Sequence, residues 1–337
     1  MKKIFLYIII GALSATAAVV VPALLNQYKK NVPQKHVVYI PINSTYQQML
    51  DSVATAVEDI NSFAKTAKRE SLEKKIKPGR YVFTPDKSNK DLVRMLSLGW
   101  ESPMMLTLSG NIRSLEKLSG ILGKKLAADS AVFMEYFSRE NVLAECGFDA
   151  ENFKGMFIPN TYEVYWTITP EQFVQRMKKE YDKFWNTQRV EKANIIGLTP
   201  QEVTVLASIV CEETNYAPEM PRVAGVYMNR LKKGIKLDAD PTVKYALGDP
   251  TIKRILFKHL KVESPYNTYI NKGLPPGPIT IPSIRGLDAV LDYEKHNYLY
   301  FCASPAMDGT HKFAVTLSEH NRNAKAYQAV LNRMKIK

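Results

Sequence analysis

A strong helix-start signal at Thr199 is the sequence feature that most constrains how this chain folds. Thr199 suits an N-terminal cap, Pro200 suits the first helical position, and Glu202 follows Thr199 by three residues, as in a capping box. Apolar residues then recur at helical spacing, and they are Val203, Leu206, Ala207 and Val210. The pattern predicts a helix with one face buried in a core.

One carboxyl group lies on the apolar side of this predicted helix. At about 100° per residue, Glu213 falls roughly 20° from the line of Leu206, whereas Glu212 points away from it. Burial disfavours a charged carboxylate, so we expect a raised pKa for Glu213 and a group able to donate a proton near neutral pH. The alternative is that Glu213 lies at a frayed, solvated helix end with an ordinary pKa.

Composition limits the class of protein. The chain has 337 residues and 45% hydrophobic content, enough for a membrane segment and two domains. Its net charge of +13 indicates an affinity for polyanions, such as anionic lipid headgroups or a carboxylate-bearing wall polymer. The basic residues are scattered and form no nucleic-acid motif, so no nucleic-acid partner is expected.

Cysteine and histidine show no metal-binding or disulfide spacing, so no metal site is expected. We interpret the cysteines as small core residues, and they are Cys146, Cys211 and Cys302. Two histidines, His311 and His320, flank a predicted strand-to-helix passage and could line a site. We interpret them as surface residues.

An uncharged, mostly apolar run extends from Ile4 to Leu25. Its roughly 22 residues are enough to span a bilayer as a helix. Two lysines precede the run, which favours a cytoplasmic amino terminus and an exported remainder. A signal peptide cleaved after the small residues Ala15 and Ala17 is the alternative, but the apolar run continues further. Residues 1–30 are therefore predicted to form a single-pass transmembrane anchor, with the bilayer as a partner.

Two domains of the α+β class are predicted to follow. Residues 36–105 should form a small α/β domain in which Ser44 caps a helix, a long charged helix continues to about Lys75, and Ser88 caps another helix. Residues 106–337 should form a larger mixed domain. It is expected to end in a β-hairpin, followed by a helix that starts at Ser318.

Four blocks between residues 203 and 279 resemble a known family. In order they read LASIVCEET, PRVAGVYMNRL, LDADPTVKYALG and YNTYINKGLPPGPI. Together they resemble the endolytic murein transglycosylase (YceG-like) family. In that family's pattern an essential glutamate precedes a threonine at the end of this helix, and here these residues are Glu213 and Thr214. The pattern also has an acidic residue two places before the glutamate, where this chain has Cys211.

The resemblance implies an enzyme that cuts peptidoglycan glycan strands without a cofactor. Glu213 would protonate the glycosidic oxygen between MurNAc and GlcNAc and then take a proton from the C6 hydroxyl of MurNAc, which closes a 1,6-anhydro ring. The implied location is the extracytoplasmic side of the bacterial inner membrane, with cell-wall synthases as candidate partners. Residues 36–105 would be a LysM-like wall-binding domain or a spacer.

Several polar residues after Glu213 are predicted to bind substrate, and they are Asn229, Asp240, Thr242, Tyr245, Tyr266, Asn267 and Tyr269. Asp240 precedes Pro241 and either caps a helix or acts as a second catalytic carboxylate. Arg230 either clamps a substrate carboxylate or bonds backbone carbonyls, and we favour the second role. The aromatic residues Tyr162, Tyr165 and Trp166 either line a sugar groove or belong to the core.

Two other functions remain compatible with the sequence. A non-catalytic wall-binding scaffold protein would be favoured if Cys211 marked a decayed site. A muramidase, which hydrolyses the same bond, would pair Glu213 with Asp240 or Glu212. The lack of a second carboxylate at a convincing spacing favours the transglycosylase.

Overall fold

The computed structural model describes residues 2–249, 252 and 255–334, and the chain divides into two compact units. The fold is mixed α+β, with short two-stranded sheets among many helices, as predicted. The first unit runs up to Leu106 and includes Lys125–Ala128 and Tyr162–Thr169. The second unit comprises Thr107–Lys124, Asp129–Thr161 and the chain from Pro170 onward.

The first unit is built on an antiparallel strand pair covered by helices. Its elements in chain order are α1 (Lys2–Tyr28), β1 (His36–Ile40), α2 (Tyr46–Ala54), α3 (Ile60–Arg69), β2 (Gly79–Phe83) and α4 (Asn89–Leu98). His36 of β1 pairs with Phe83 of β2. Phe83 is buried in a core that also contains Phe63 of α3 and Leu92 of α4.

Two helix starts in this unit differ from the sequence prediction. Thr45, not Ser44, caps α2, because its side chain accepts from the Gln48 amide in a capping box. No single helix continues to Lys75, because Asp59 caps a separate helix, α3, which ends at Arg69. Ser88 caps α4 as predicted.

The aromatic residues near position 165 differ in exposure. Tyr162 is only 3% exposed, and the Trp166 ring packs edge-on against Tyr39 with centroids 5.1 Å apart. Tyr162 is therefore buried, whereas Trp166 is half-buried and packs on Tyr39 within the first unit. Tyr165 is 54% exposed.

The remaining elements in chain order are β3 (Met104–Leu108), α5 (Leu115–Gly123), α6 (Ser130–Phe137), α7 (Glu140–Cys146), β4 (Asn160–Val164), α8 (Pro170–Phe184), α9 (Thr187–Ile196), α10 (Pro200–Glu213), α11 (Met220–Lys232), α12 (Asp240–Leu247), α13 (Ile284–Leu291), β5 (Tyr300–Ala303), β6 (His311–Ala314) and α14 (Leu317–Arg333). The predicted hairpin is confirmed, because β5 pairs antiparallel with β6. The last helix starts one residue earlier than expected, at Leu317, because Thr316 caps it.

The predicted membrane span, Ile4–Leu25, lies within α1, and many of its side chains fall outside the described residues. Among its described side chains, Ile10, Val21 and Leu25 are exposed. No single helix in the described part of the chain has both the length and the hydropathy of a membrane span, whereas α9 and α10 pass that test only as a pair bent by 76°.

Helix α10 forms the centre of the second unit's core. Thr199 and Glu202 make the predicted capping box, and every side chain from Val203 to Cys211 is buried. Helix α13 approaches α10 closely, because a Cβ atom on Gly286 would lie 2.2 Å from the Cys211 sulfur. Cys211 is therefore a packing residue, as predicted, and its contact with α13 fixes the end of α10 that carries Glu213.

We predict that Gly286→Ala lowers the free energy of unfolding by about 1–3 kcal/mol, because the added methyl group would overlap Cys211. Gly120→Ala in α5 is the matched control, since a Cβ atom there meets nothing within 4 Å. The control should gain up to about 1 kcal/mol from its higher helix propensity. Urea unfolding of both variants provides the measurement, and equal effects would show that the two helices are not in tight contact.

Candidate active site

Glu213 is the last residue of α10 and lies half-buried where the chain turns towards α11. The Tyr227 hydroxyl on α11 donates a 2.6 Å hydrogen bond to Oε1 of Glu213. Tyr227 is 2% exposed and belongs to the core that α10 and α11 share. The carboxyl group is thus held in one orientation by a side chain that is itself locked by packing.

Burial raises the pKa of Glu213 to about 7. The hydrogen bond from Tyr227 acts in the opposite direction and lowers this pKa, whereas the charges of Asp240 and Glu212 raise it further. The alternative of a frayed, solvated glutamate is therefore wrong. A carboxyl group with a pKa near neutrality can donate a proton and can also take one back.

Glu213 lines an open cavity of about 490 Å³. Tyr227, Asp240 and Tyr269 line it too, and the carboxy-terminal segment contributes His311 and His320. Our interpretation of the two histidines as surface residues is therefore wrong. The imidazole Nδ1 of His311 lies 2.9 Å from Oε2 of the buried Glu219, which orients the ring at the cavity wall.

Asp240 does not cap α12, because it is itself the first residue of that helix. The Asp240 carboxylate is therefore left to the cavity, where it accepts a 2.7 Å hydrogen bond from the Tyr269 hydroxyl. Three carboxyl groups therefore line the cavity: Glu213 and Asp240 are each held by a tyrosine, and Asp238 is paired with Arg230.

Arg230 has the structural role that the sequence favours. Its guanidinium donates to the carbonyls of Lys236, Leu237 and Leu299 at 2.7–2.9 Å. It also pairs with Asp238 at 2.8 Å, and it is 6% exposed. These bonds connect α11 to the chain on both sides of the cavity and fix its shape.

Asn229 lies on α11 but lines a different cavity from the one that contains Glu213. Its side-chain amide donates to the carbonyls of His296 and Tyr298 at 2.7 and 3.0 Å. The side chain is therefore engaged within the protein, where it supports the segment that leads into β5.

The other predicted substrate-binding residues lie in the framework behind the cavity. Thr242 and Asn267 are fully buried, and the Asn267 amide donates to two carbonyls of its own loop. Tyr245 and Tyr266 pack against each other with ring centroids 4.7 Å apart. Of the predicted set, Asp240 and Tyr269 join Glu213 at the cavity.

Three cavity residues, Tyr227, His311 and His320, were not assigned to the site from the sequence. Tyr227 belongs to the PRVAGVYMNRL block, and its place on the apolar face of α11 indicates only burial. The histidines come from the hairpin and α14, more than 80 residues from Glu213 along the chain. Strand β5 of the hairpin packs against α11, and α14 packs against the hairpin, which brings both histidines to the site.

The sequence model of the YceG-like family matches residues 38–326, so the chain belongs to the YceG-like family. The fold is similar to a crystal structure of a putative YceG-like protein from Listeria monocytogenes, with a TM-score of 0.58 and 27% sequence identity. That match covers 86% of this chain and 98% of the Listeria chain.

Two relatives share the name endolytic murein transglycosylase. The Bacillus subtilis (strain 168) protein is 36% identical over 176 residues, which cover 52% of this chain and 48% of that protein. The Streptococcus pneumoniae (strain D39) protein is 29% identical over 178 residues, which cover 50% of this chain and 31% of that protein. The chain therefore matches less than half of the length of either relative.

We predict that Glu213→Gln stabilises the protein at pH 8 but not at pH 4. The pKa of Glu213 in the folded state lies above the ordinary value of 4.5. Between pH 4.5 and 7 the folded protein therefore binds more protons than the unfolded chain. As a result, the free energy of unfolding falls as the pH rises through that range. Glutamine cannot ionise, so the variant should gain on the order of 2–3 kcal/mol over the wild type at pH 8.

Urea unfolding at both pH values provides the measurement. Glu191→Gln, at an exposed position of α9, is the control and should show no such pH-dependent difference. An equal effect of both substitutions at pH 8 would mean that Glu213 is not held in a desolvated position.

Proposed function

We propose that this protein is a peptidoglycan lytic transglycosylase that cleaves the MurNAc–GlcNAc bond within glycan strands and leaves 1,6-anhydro-MurNAc ends. The observation that carries the proposal is a half-buried glutamate with a pKa of about 7 on the wall of an open cavity. The names of the two relatives support the same reaction.

Glu213 first acts as the general acid. It transfers its proton to the glycosidic oxygen, the bond from that oxygen to C1 of MurNAc breaks, and positive charge develops at C1 and the ring oxygen. Because the Tyr227 hydroxyl donates to Oε1, the carboxyl proton is carried by Oε2, which is thereby the donating oxygen. The same bond stabilises the carboxylate that remains after the transfer.

Glu213 then acts as the base. Its carboxylate takes the proton of the C6 hydroxyl of the same MurNAc, the C6 oxygen bonds to C1, and the 1,6-anhydro ring closes. No water is consumed, and the glutamate returns to its protonated form. The reaction needs no second nucleophile, because the attacking hydroxyl is already tethered to the reacting sugar.

Asp240 supports a second candidate function, a hydrolase. Its exposed carboxylate lies in the same cavity as Glu213 and could activate a water molecule at C1. The products would then carry reducing ends instead of anhydro ends. The scaffold alternative loses its support, because Cys211 packs against α13 and Glu213 keeps the environment that an acid needs.

We predict that Glu213→Gln abolishes anhydro-muropeptide formation from purified peptidoglycan, with a loss of at least about a thousandfold, because amide nitrogen cannot replace the acidic proton. Mass analysis of the digest provides the measurement. Asp240→Asn should still give anhydro ends, although at a changed rate. Reducing ends from the wild type that disappear in both variants would establish the hydrolase instead.

We also propose that residues 1–30 anchor the chain in the inner membrane, with the site on the extracytoplasmic side, where nascent strands emerge from the synthases. Helix α1 has 27 residues, or about 40 Å, which exceeds the roughly 30 Å of a bilayer core. The exposed apolar side chains of Ile10, Val21 and Leu25 support this location.

We predict that the full chain stays in the membrane fraction after alkaline carbonate extraction, and that deletion of residues 2–25 releases it. Protease added to spheroplasts should degrade the second unit of the anchored chain. Intact mass of the purified protein tests the signal-peptide alternative, since cleavage near Ala17 would remove the first residues. Recovery of the uncleaved chain in the soluble fraction would contradict the anchor.

For residues 36–105 we propose a role in spacing or in LysM-like wall binding. Sedimentation with purified sacculi separates the two roles. Weaker binding after deletion of this segment supports wall binding, and unchanged binding supports a spacer.

A further inference from the structure

Glu213 is also reached from a second, smaller pocket of about 320 Å³. We call it the basic pocket, and besides Glu213 its lining includes Asn111, Arg113, Lys117 and Glu212. It contains two basic side chains, Arg113 and Lys117, whereas the larger cavity has one arginine, the buried Arg230, together with tyrosines, histidines and the carboxylates of Asp238 and Asp240. The two sides of Glu213 are therefore chemically different.

Only one positive charge in the basic pocket is uncompensated. Arg113 forms an ion pair with Glu212, whose side chain is 13% exposed, so this pair adds no net charge. Within the described residues, Lys117 has no ion pair. Its ammonium contacts the Asn111 carbonyl at 3.5 Å, at the limit of hydrogen-bonding distance. The pocket therefore presents a free ammonium group beside Glu213.

Asn111 adds a neutral donor to the same pocket. Its backbone lies in the left-handed region with φ of 63°, which asparagine tolerates better than most residues. Its N–H donates to the Ile281 carbonyl at 3.0 Å, which fixes this conformation. An exposed amide and an ammonium together match the acceptor oxygens of a carboxylate.

We propose that the basic pocket binds a carboxylate carried by a muramic acid residue of the glycan strand. This inference rests on the proposed function. In a strand of alternating sugars, only muramic acid bears an acidic substituent, either its own lactyl carboxylate when peptide-free or the carboxylates of an attached peptide. Binding this carboxylate on one side of Glu213 sets the direction of the glycan strand. It also places the glycosidic bond at C1 of muramic acid next to the proton donor.

The test measures binding by the inactivated Glu213→Gln protein, with or without Lys117→Gln. Three tetrasaccharides are compared: peptide-bearing murein, the same strand after amidase removal of the peptides, and neutral chitotetraose. With Lys117 present, at least one murein ligand should bind about tenfold more tightly than chitotetraose, and Lys117→Gln should remove that difference. Tight binding of the peptide-free strand identifies the lactyl group, and tight binding of the peptide-bearing strand alone identifies the peptide.

Two further variants act as controls. Lys117→Arg keeps the charge and should retain the difference, and so should Lys124→Gln, an exposed lysine at the other end of α5. Equal affinity for all three ligands, or a difference that survives Lys117→Gln, would overturn the inference. If the difference behaves as expected but the wild type yields no anhydro ends, the subsite stands and the proposed function fails.

Discussion

The candidate active site depends on the desolvation of one carboxyl group at the end of α10. Two opposing effects act on Glu213: burial favours its neutral form, and the hydrogen bond from Tyr227 favours its anion. Neither effect alone would suit a group that must give up a proton and then recover one. Their balance holds the pKa at about 7, and it is maintained by the packing of α10, α11 and α13 into one core.

Most polar residues near the site hold the protein together and do not face the cavity. Arg230 connects three carbonyls, and Asn229 and Asn267 each connect two. Loops that carry a functional cavity expose many backbone groups, and each buried one needs a partner. Polar residues in the signature blocks of this chain, such as Arg230, Asn229 and Asn267, therefore stabilise the loops by bonding their backbone carbonyls.

Cys211 illustrates how a departure from a family pattern can be a packing change. Its sulfur occupies the space that Gly286 leaves free on α13, so a small residue on one helix matches a small residue on the other. The neighbouring acid, Glu212, is paired with Arg113 beside the proton donor. Negative charge near Glu213 is thus present but neutralised, which limits its effect on the carboxyl.

The sequence by itself determined the α+β class, the capped helix α10, the hairpin and the position of Glu213 on the apolar side of that helix, because capping, periodicity and turn chemistry act between residues close in the chain. It did not determine the partners of Glu213 or the cavity lining. Asp240 had the local features of a cap, yet its carboxylate accepts from the Tyr269 hydroxyl at the cavity, and His311 and His320 reach the cavity from far along the chain. Only tertiary packing determines these contacts, because each of them joins segments that are far apart in the sequence.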